Sequence, residues 1–291
     1  MASSASILTR FCNIPASNIG FWRVFGAGII LLPFVIRFRL RNPHEKILNY
    51  GIIITGIFLG AHFATWCWAI QNTSIANATL FIGLQPLMVP FIANRLVKEK
   101  INKGETLGII LAVLGTIWLT IQQFNINIKD MPGIIVSIIS ALICATYIVL
   151  GRKYRSGHHV IVFSTGVFFV AAFVQGLSSL FINGYIGIGD SKSMIALSAL
   201  ILFPTIGGHA LMMFLVRYAK PQLISFTIPA QFVFATISAV PIFGEIPNIW
   251  FYPGAILIIA GVIIGIFNAE PLVNKKNIPQ NLFKPERGHT A

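Results

Sequence analysis

Apolar runs long enough to cross a ~30 Å hydrocarbon layer as a helix, about 20 residues each, recur along this chain between short polar breaks. Nine of them are expected as helices: 20–38, 47–71, 75–95, 104–122, 131–151, 159–183, 193–217, 221–243 and 247–268. Gly and Pro fall inside the runs, as membrane helices tolerate. Residues 1–11, MASSASILTRF, are small and apolar like the outer half of one more helix ending near Arg10, yet cover about half of a ~20-residue span. Two readings follow: a short external tail, or a tenth helix of which only part is present. No basic segment precedes an apolar one there, so a secretory signal is not expected.

Composition agrees with the pattern. Charged residues make up 10% of the 291, against roughly 25% in a soluble domain, and the mean hydropathy is +0.81. The net charge of +13 would suit nucleic acid if it formed a basic face. The basic residues are instead scattered through short connections, which excludes that partner and leaves the lipid bilayer. Cys12, Cys67 and Cys144 are too far apart for a disulfide framework or a metal cluster.

The charges alternate from one connection to the next. One set of connections holds Arg37, Arg39, Arg41 and Lys46; Arg95, Lys98, Lys100 and Lys103; Arg152, Lys153 and Arg155; Arg217 and Lys220; and the tail lysines and arginine from Lys275 to Arg287. Of the 21 basic residues, all but Arg10, Arg23, Lys129 and Lys192 lie on that side. The positive-inside rule makes it cytoplasmic, C-terminus included. A multi-pass protein of the cell (inner) membrane is expected.

The chain also repeats itself. Segment 81–118 aligns with 227–264 at an offset of 146, pairing Gln85 with Gln231, Glu99 with Glu245, Asn102 with Asn248, Gly108 with Gly254 and Gly115 with Gly261. Upstream the offset becomes 147, and Gly60-Ala61-His62 meets Gly207-Gly208-His209. Equivalent helices are five spans apart, an odd number, so the second copy is inverted. Inverted repeats are the plan of many secondary transporters, with the site at the midplane between the halves.

WAIQNTSIANATLFIGLQPLMVPFIANRLVKEK and GETLGIILAVLGTIWL, within 52–118, resemble the EamA-type repeat of the drug/metabolite transporter superfamily. FGE at 243–245 and PGAILIIAGVIIG at 253–265 resemble its second copy, and FWRVFGAGIILLPF at 21–34, with Arg23, is similar to its second helix. The resemblance implies an all-α bundle of ten helices in two inverted five-helix repeats, both termini cytoplasmic, with the first helix truncated here. Its parts would be 1–122 and 131–268, with a cytoplasmic tail at 269–291. Lys98 departs from the family, where a small residue precedes the Glu equivalent to Glu99. Members carry amino acids, nucleotide-sugar-like compounds, drugs and other metabolites, so the resemblance does not choose the substrate.

All eight acidic residues fall in loops, tails or span ends, so no buried-carboxylate proton relay is expected. No HExxH or GxSxG motif points to an enzyme. Polar residues at depth are few. His62 and Trp66 share a helix face, with Thr55 beyond; Thr205, His209 and Met213 repeat the arrangement; Thr227, Gln231 and Ser238 form a third stripe. Together with Asn77 and Gln85 they are expected to line one uncharged cavity for a small polar organic metabolite. The alternative is interhelical hydrogen bonding, worth about 0.6 kcal/mol on average.

Glu99 and Glu245 are expected to cap the helices that follow them, or to gate. Pro86, Pro90, Pro229 and Pro241 interrupt the fourth and ninth helices, Pro86 and Pro229 at places suited to a hinge. Arg23 either snorkels to headgroups or attracts an anionic solute. The leading expectation is a secondary transporter without cofactor or metal. The rivals are a membrane haem protein using His62 and His209, and a subunit that transports nothing. Assembly is left open between a monomer and a homodimer.

The charge asymmetry makes a direct prediction. Cysteines introduced near Lys129 and Lys192 should react with an impermeant thiol reagent in intact cells, and cysteines near Arg41 and Lys153 should not. The opposite labelling would reverse the topology.

Overall fold

The structure, a computed structural model, describes residues 4–9, 11–121, 128–244 and 247–269. Among them every regular element is helical. The helices are α1 (Ser4–Thr9), α2 (Ala16–Arg41), α3 (Tyr50–Asn72), α4 (Ile75–Gly83 and Gln85–Val97) and α5 (Lys103–Ile121). They continue with α6 (Met131–Arg155), α7 (Val160–Asn183), α8 (Ser191–Leu215), α9 (Pro221–Ser225 and Thr227–Phe243) and α10 (Phe251–Phe267). Among the described residues seven helices are long and apolar enough to cross a membrane, and α10 is a shorter apolar one. The chain is a multi-pass α-helical membrane bundle. Arg10, Glu245 and the tail from 270 lie outside the described residues.

Each apolar run of the sequence is a helix, but helices outrun the apolar stretches. α2 extends to Arg41 and α6 to Arg155 because Arg and Lys in a last turn suit the negative end of the helix dipole. Hydropathy marks the membrane rather than the end of the helix. Starts are set by capping side chains. Asn49 accepts from the Ile52 amide, Ser74 from that of Asn77 and Asp190 from that of Ser193. Hydrogen bonds from Ser193 hold the exposed Asp190 carboxyl below the usual range.

The start of α5 corrects an expectation. Its cap is a reciprocal pair in which Glu105 N–H donates to Asn102 Oδ1 (2.8 Å) and Asn102 N–H donates to Glu105 Oε2 (3.0 Å). Glu99 does not cap it, because Arg152 of α6 draws the Glu99 carboxylate across the bundle, Nε to Oε1 2.7 Å.

Three helices depart from regular α geometry. α4 breaks at Leu84, two residues before Pro86, and α9 breaks at Phe226, three before Pro229. A proline lacks the amide hydrogen and crowds the carbonyl four residues back, so the break falls just upstream. The third is α8, where Ile201–Ala210 is a π-helix containing Pro204.

Packing follows the inverted repeat. α5 and α10 lie antiparallel, with Gly108 against Gly261 and Gly265, and Gly115 against Gly254. Under the 146-residue correspondence the Gly108–Gly261 contact maps onto Gly254–Gly115. α2 pairs with its equivalent α7, while α3 lies against α6 and α7. Val24, Ala27, Ile52, Leu59, Val167 and Phe168 form the core of that group. α6 packs on α3 and α4, and the short α1 packs on their equivalents α8 and α9. Ala5 and Leu8 cover Ile19, Leu197 and Leu200 there.

A Cβ at Gly115 would sit 2.6 Å from the Gly254 carbonyl oxygen and 2.9 Å from the Ile258 nitrogen, backbone atoms that cannot swing aside. Gly115→Val should therefore separate α5 from α10 and cost about 1–3 kcal/mol. Gly157→Ala, with nothing within 4 Å of the added carbon, is the control. Equal melting temperatures for both variants in detergent would refute this account of the interface.

Candidate functional site

Helix α6 gathers the interior polar residues. Ser140, Cys144, Tyr147 and Gly151 recur at i, i+4, i+7 and i+11, which is one stripe at 3.6 residues per turn. Each meets a different residue singled out in the sequence. His62 of α3 places Nδ1 3.0 Å from Ser140 Oγ and 3.2 Å from the Ser140 carbonyl oxygen. The Ser140 hydroxyl donates its hydrogen to the His62 carbonyl (3.2 Å). Nδ1 is therefore assigned as the donor of that ring, leaving Nε2 as the acceptor.

Gln85, where the second piece of α4 begins, lies against the Cys144 thiol. The His209 ring of α8 is 6.1 Å from that of Tyr147. Met213 packs over Gly151, its sulfur where a Cβ would need to be. Of these, Gln85 and Tyr147 are fully buried.

Arg23 approaches from α2, two turns inside its start at Ala16. Its Nε donates to Thr205 Oγ1 at 3.2 Å, and its guanidinium carbon stands 5.1 Å from the centre of the Phe63 ring. The same ring packs against His62 (5.5 Å) and edge-on to His209 (5.4 Å). Arg23 thus points into the bundle and does not snorkel outward. Thr205 receives it from the π-helix, where its own hydroxyl donates to Leu200 O, five residues back (2.8 Å). Pro204 has no amide hydrogen and Gly207-Gly208 follow it, so this turn is the weak point of α8 and widens.

The structure brings His62, Gln85, Thr205 and His209 to one region around α6 and Arg23. Other sequence candidates sit elsewhere. Asn77 is buried in the first turn of α4, where its amide donates to Thr73 Oγ1 (3.1 Å). Thr55 bonds back to Gly51 within α3. Thr227 is exposed and bonds to Ile224 across the break in α9. Met213 belongs to the apolar core. Trp66 and Gln231 are half-buried. Sequence reasoning missed Phe63 and the α6 stripe. The i, i+4, i+7 spacing of Ser140, Cys144 and Tyr147 is the signal that marks the latter.

Several buried polar atoms of this region are unpaired. The Gln85 amide oxygen and nitrogen, the Tyr147 hydroxyl and His209 Nδ1 are buried without a hydrogen bond of normal geometry. Folded proteins pair about 90% or more of such groups. These four, on three residues around one helix stripe, form a set of donors and acceptors able to serve a polar guest. Among the described residues no group of three or more His, Cys, Asp and Glu side chains is placed to hold a metal ion. The imidazoles that haem would need as axial ligands both pack on Phe63 instead. A cavity of ≈ 430 Å³ between α4 and α5, walled by Leu87, Pro90, Phe91 and Ile110, opens on a different face.

Ion pairs link helices at the Arg/Lys-rich end of the bundle. Besides Glu99, Arg152 Nη1 reaches the carbonyls of Val216 (3.1 Å) and Arg217 (2.8 Å) at the end of α8. Lys220, opening α9, lies 3.0 Å from the buried Glu105 carboxylate of α5 and donates to Lys100 O at 3.2 Å.

Comparison with known proteins places this arrangement. The chain is 22% identical over 290 residues to an S-adenosylmethionine uptake transporter of Rickettsia conorii, covering 96% of this chain and 93% of that one. It is 22% identical over 263 residues to solute carrier family 35 member G1 of Mus musculus, covering 85% and 70%. A solved crystal structure superposes with a TM-score of 0.79 at 18% identity, covering 92% of this chain and 93% of that chain. Residues 1–121 and 131–267 match the EamA-like transporter family. A helical bundle with a polar interior stripe and this match over both halves is a transporter, and the chain belongs to the EamA-like transporter family.

Proposed function

We propose that this chain is a secondary transporter carrying a small polar organic metabolite, an amino acid or a related compound, by alternating access. The observation that carries this is the set of buried, unpaired polar groups on and around the α6 stripe. Their convergence on one helix stripe, each costing about 1–3 kcal/mol when buried unpaired, favours a polar guest over a bundle that only supports a partner. The relatives named for S-adenosylmethionine uptake fit a solute of this class.

The moving parts are the halves 1–122 and 131–268, related by inversion, with a cytoplasmic tail at 269–291. The basic end faces the cytoplasm, and the structure represents the state closed there. Its latch is the pair Arg152–Glu99, between α6 and the α4–α5 turn, with Lys220–Glu105, between α9 and α5. The breaks before Pro86 and Pro229 supply bending points in α4 and α9.

Two experiments test these parts. Tyr147→Phe removes a hydroxyl that makes no hydrogen bond in the protein. In proteoliposomes given radiolabelled amino acids and S-adenosylmethionine, affinity for the transported solute should fall about 5- to 150-fold while the melting temperature holds. Unchanged uptake affinity would remove Tyr147 from the solute path. For the latch, Lys220→Met should destabilise by about 3–5 kcal/mol, because it strands the buried Glu105 carboxylate. Adding Glu105→Gln should restore most of that loss. A double variant as unstable as the single one would show that the ion pair is not what holds α9 to α5.

A further inference from the structure

Arg23, beside the polar residues around α6, has no ionic partner among the described residues. Its Nε is spent on Thr205, and among the described residues Nη1 and Nη2 make no hydrogen bond. The described carboxylates are engaged or placed elsewhere: Glu99 with Arg152, Glu105 with Lys220, Glu45 with His158, and Asp190 capping α8. Asp130 precedes α6 at the start of its span. Arg23 as a residue is half-buried. Phe63 stands against it, with His62 and His209 on the same ring and Tyr147 beyond His209; His209 and Tyr147 carry polar atoms with no partner.

A cation inside a membrane protein is expensive and is normally matched by an internal anion or by cargo. Among the described residues no carboxylate is paired with it. A guanidinium presents a planar fork of donors that fits a carboxylate in two parallel hydrogen bonds. We propose that Arg23 is the anchor for a carboxylate on the transported solute, which makes the substrate class carboxylate-bearing metabolites. The aromatic rings and the Tyr147 and His209 polar atoms meet the rest of the solute. No described carboxylate stands by to receive a cationic group, so the anion is the end of the solute that is held. This deepens the transport reading above and rests on it. A zwitterionic amino acid and a simple organic acid share the feature.

The test uses full-length purified protein and a thermal-shift panel of methionine, phenylalanine, S-adenosylmethionine, lactate and phenylacetate. Each acid is run beside its carboxamide, and a set of uncharged polar metabolites completes the panel. At least one acid should stabilise the protein and bind about 10- to 100-fold more tightly than its amide. Amino acids succeeding where lactate and phenylacetate fail would identify the zwitterionic form. Arg23→Gln should abolish the preference for acid over amide, and Arg23→Lys should retain part of it. Without ligand, Arg23→Gln should melt no lower than the parent, since an unmatched cation has been removed; a structural arginine would show a clear drop. The inference is overturned if acid and amide bind the parent equally, if Arg23→Gln keeps the preference, or if no acid binds. Stabilisation by uncharged metabolites alone would leave the transport reading standing without the anion. Stabilisation by nothing in the panel would count against both.

Discussion

Two glycine contacts between α5 and α10 set the spacing on which the bundle depends. In lipid no hydrophobic force drives helices together, so they associate by close packing, and small residues let their backbones approach. Gly108 on Gly261 and Gly115 on Gly254 give that approach twice, each contact being the image of the other under the repeat. Two equivalent contacts along antiparallel helices define an axis between them. The pairing of α2 with α7 and the positions of α6 and α1 follow the same relation. One short sequence pattern, a glycine every seven residues on equivalent helices, therefore carries the architecture.

The fold was legible because membrane constraints write it in large letters. Length and apolarity mark the helices, and Gln85/Gln231 and Gly108/Gly254 mark the repeat against a background where aliphatic matches mean little. The site was less so. His62, Gln85, Thr205 and His209 were visible because polar residues are rare in such spans, but their common partner was not. Ser140, Cys144 and Tyr147 are ordinary in a membrane helix, and their spacing acquires meaning once α6 is known to pack between α3, α4 and α8. The π-helix was invisible for another reason: an apolar run does not distinguish i+4 from i+5 bonding. The capping alternative for Glu99 failed because its partner Arg152 is far away in sequence. Asn102 and Glu105 have the N-x-x-E spacing that announces a capping box, so that part of the answer was readable.

The two ends of the bundle are related by inversion in their backbone but not in their charges. Glu105 of the latch corresponds to Phe251, and Lys220 corresponds to Ser74 or Thr73 depending on the offset. The Arg/Lys-rich end is thus held by ion pairs, and the opposite end uses neutral contacts such as the Trp118 indole N–H on the Trp250 carbonyl (2.9 Å). An inverted repeat makes the two access states similar in shape. In the proposed alternating-access cycle, unlike gates would make them unlike in energy and favour one state at rest.

A solute can shift such an equilibrium only by binding one state better than another. Neutral hydrogen bonds alone give little leverage, since a water-filled site satisfies them almost as well in either open state. An unmatched guanidinium behaves differently. While the site is open, water screens Arg23 at small cost; when the halves close over it, the low dielectric makes an unpaired charge expensive and a paired one far less so. Closing empty would then be penalised and closing loaded favoured, by the same residue and without a second signal. Under the proposed anchoring role, Arg23 would do more than recognise its partner: it would make passage through the occluded state conditional on cargo.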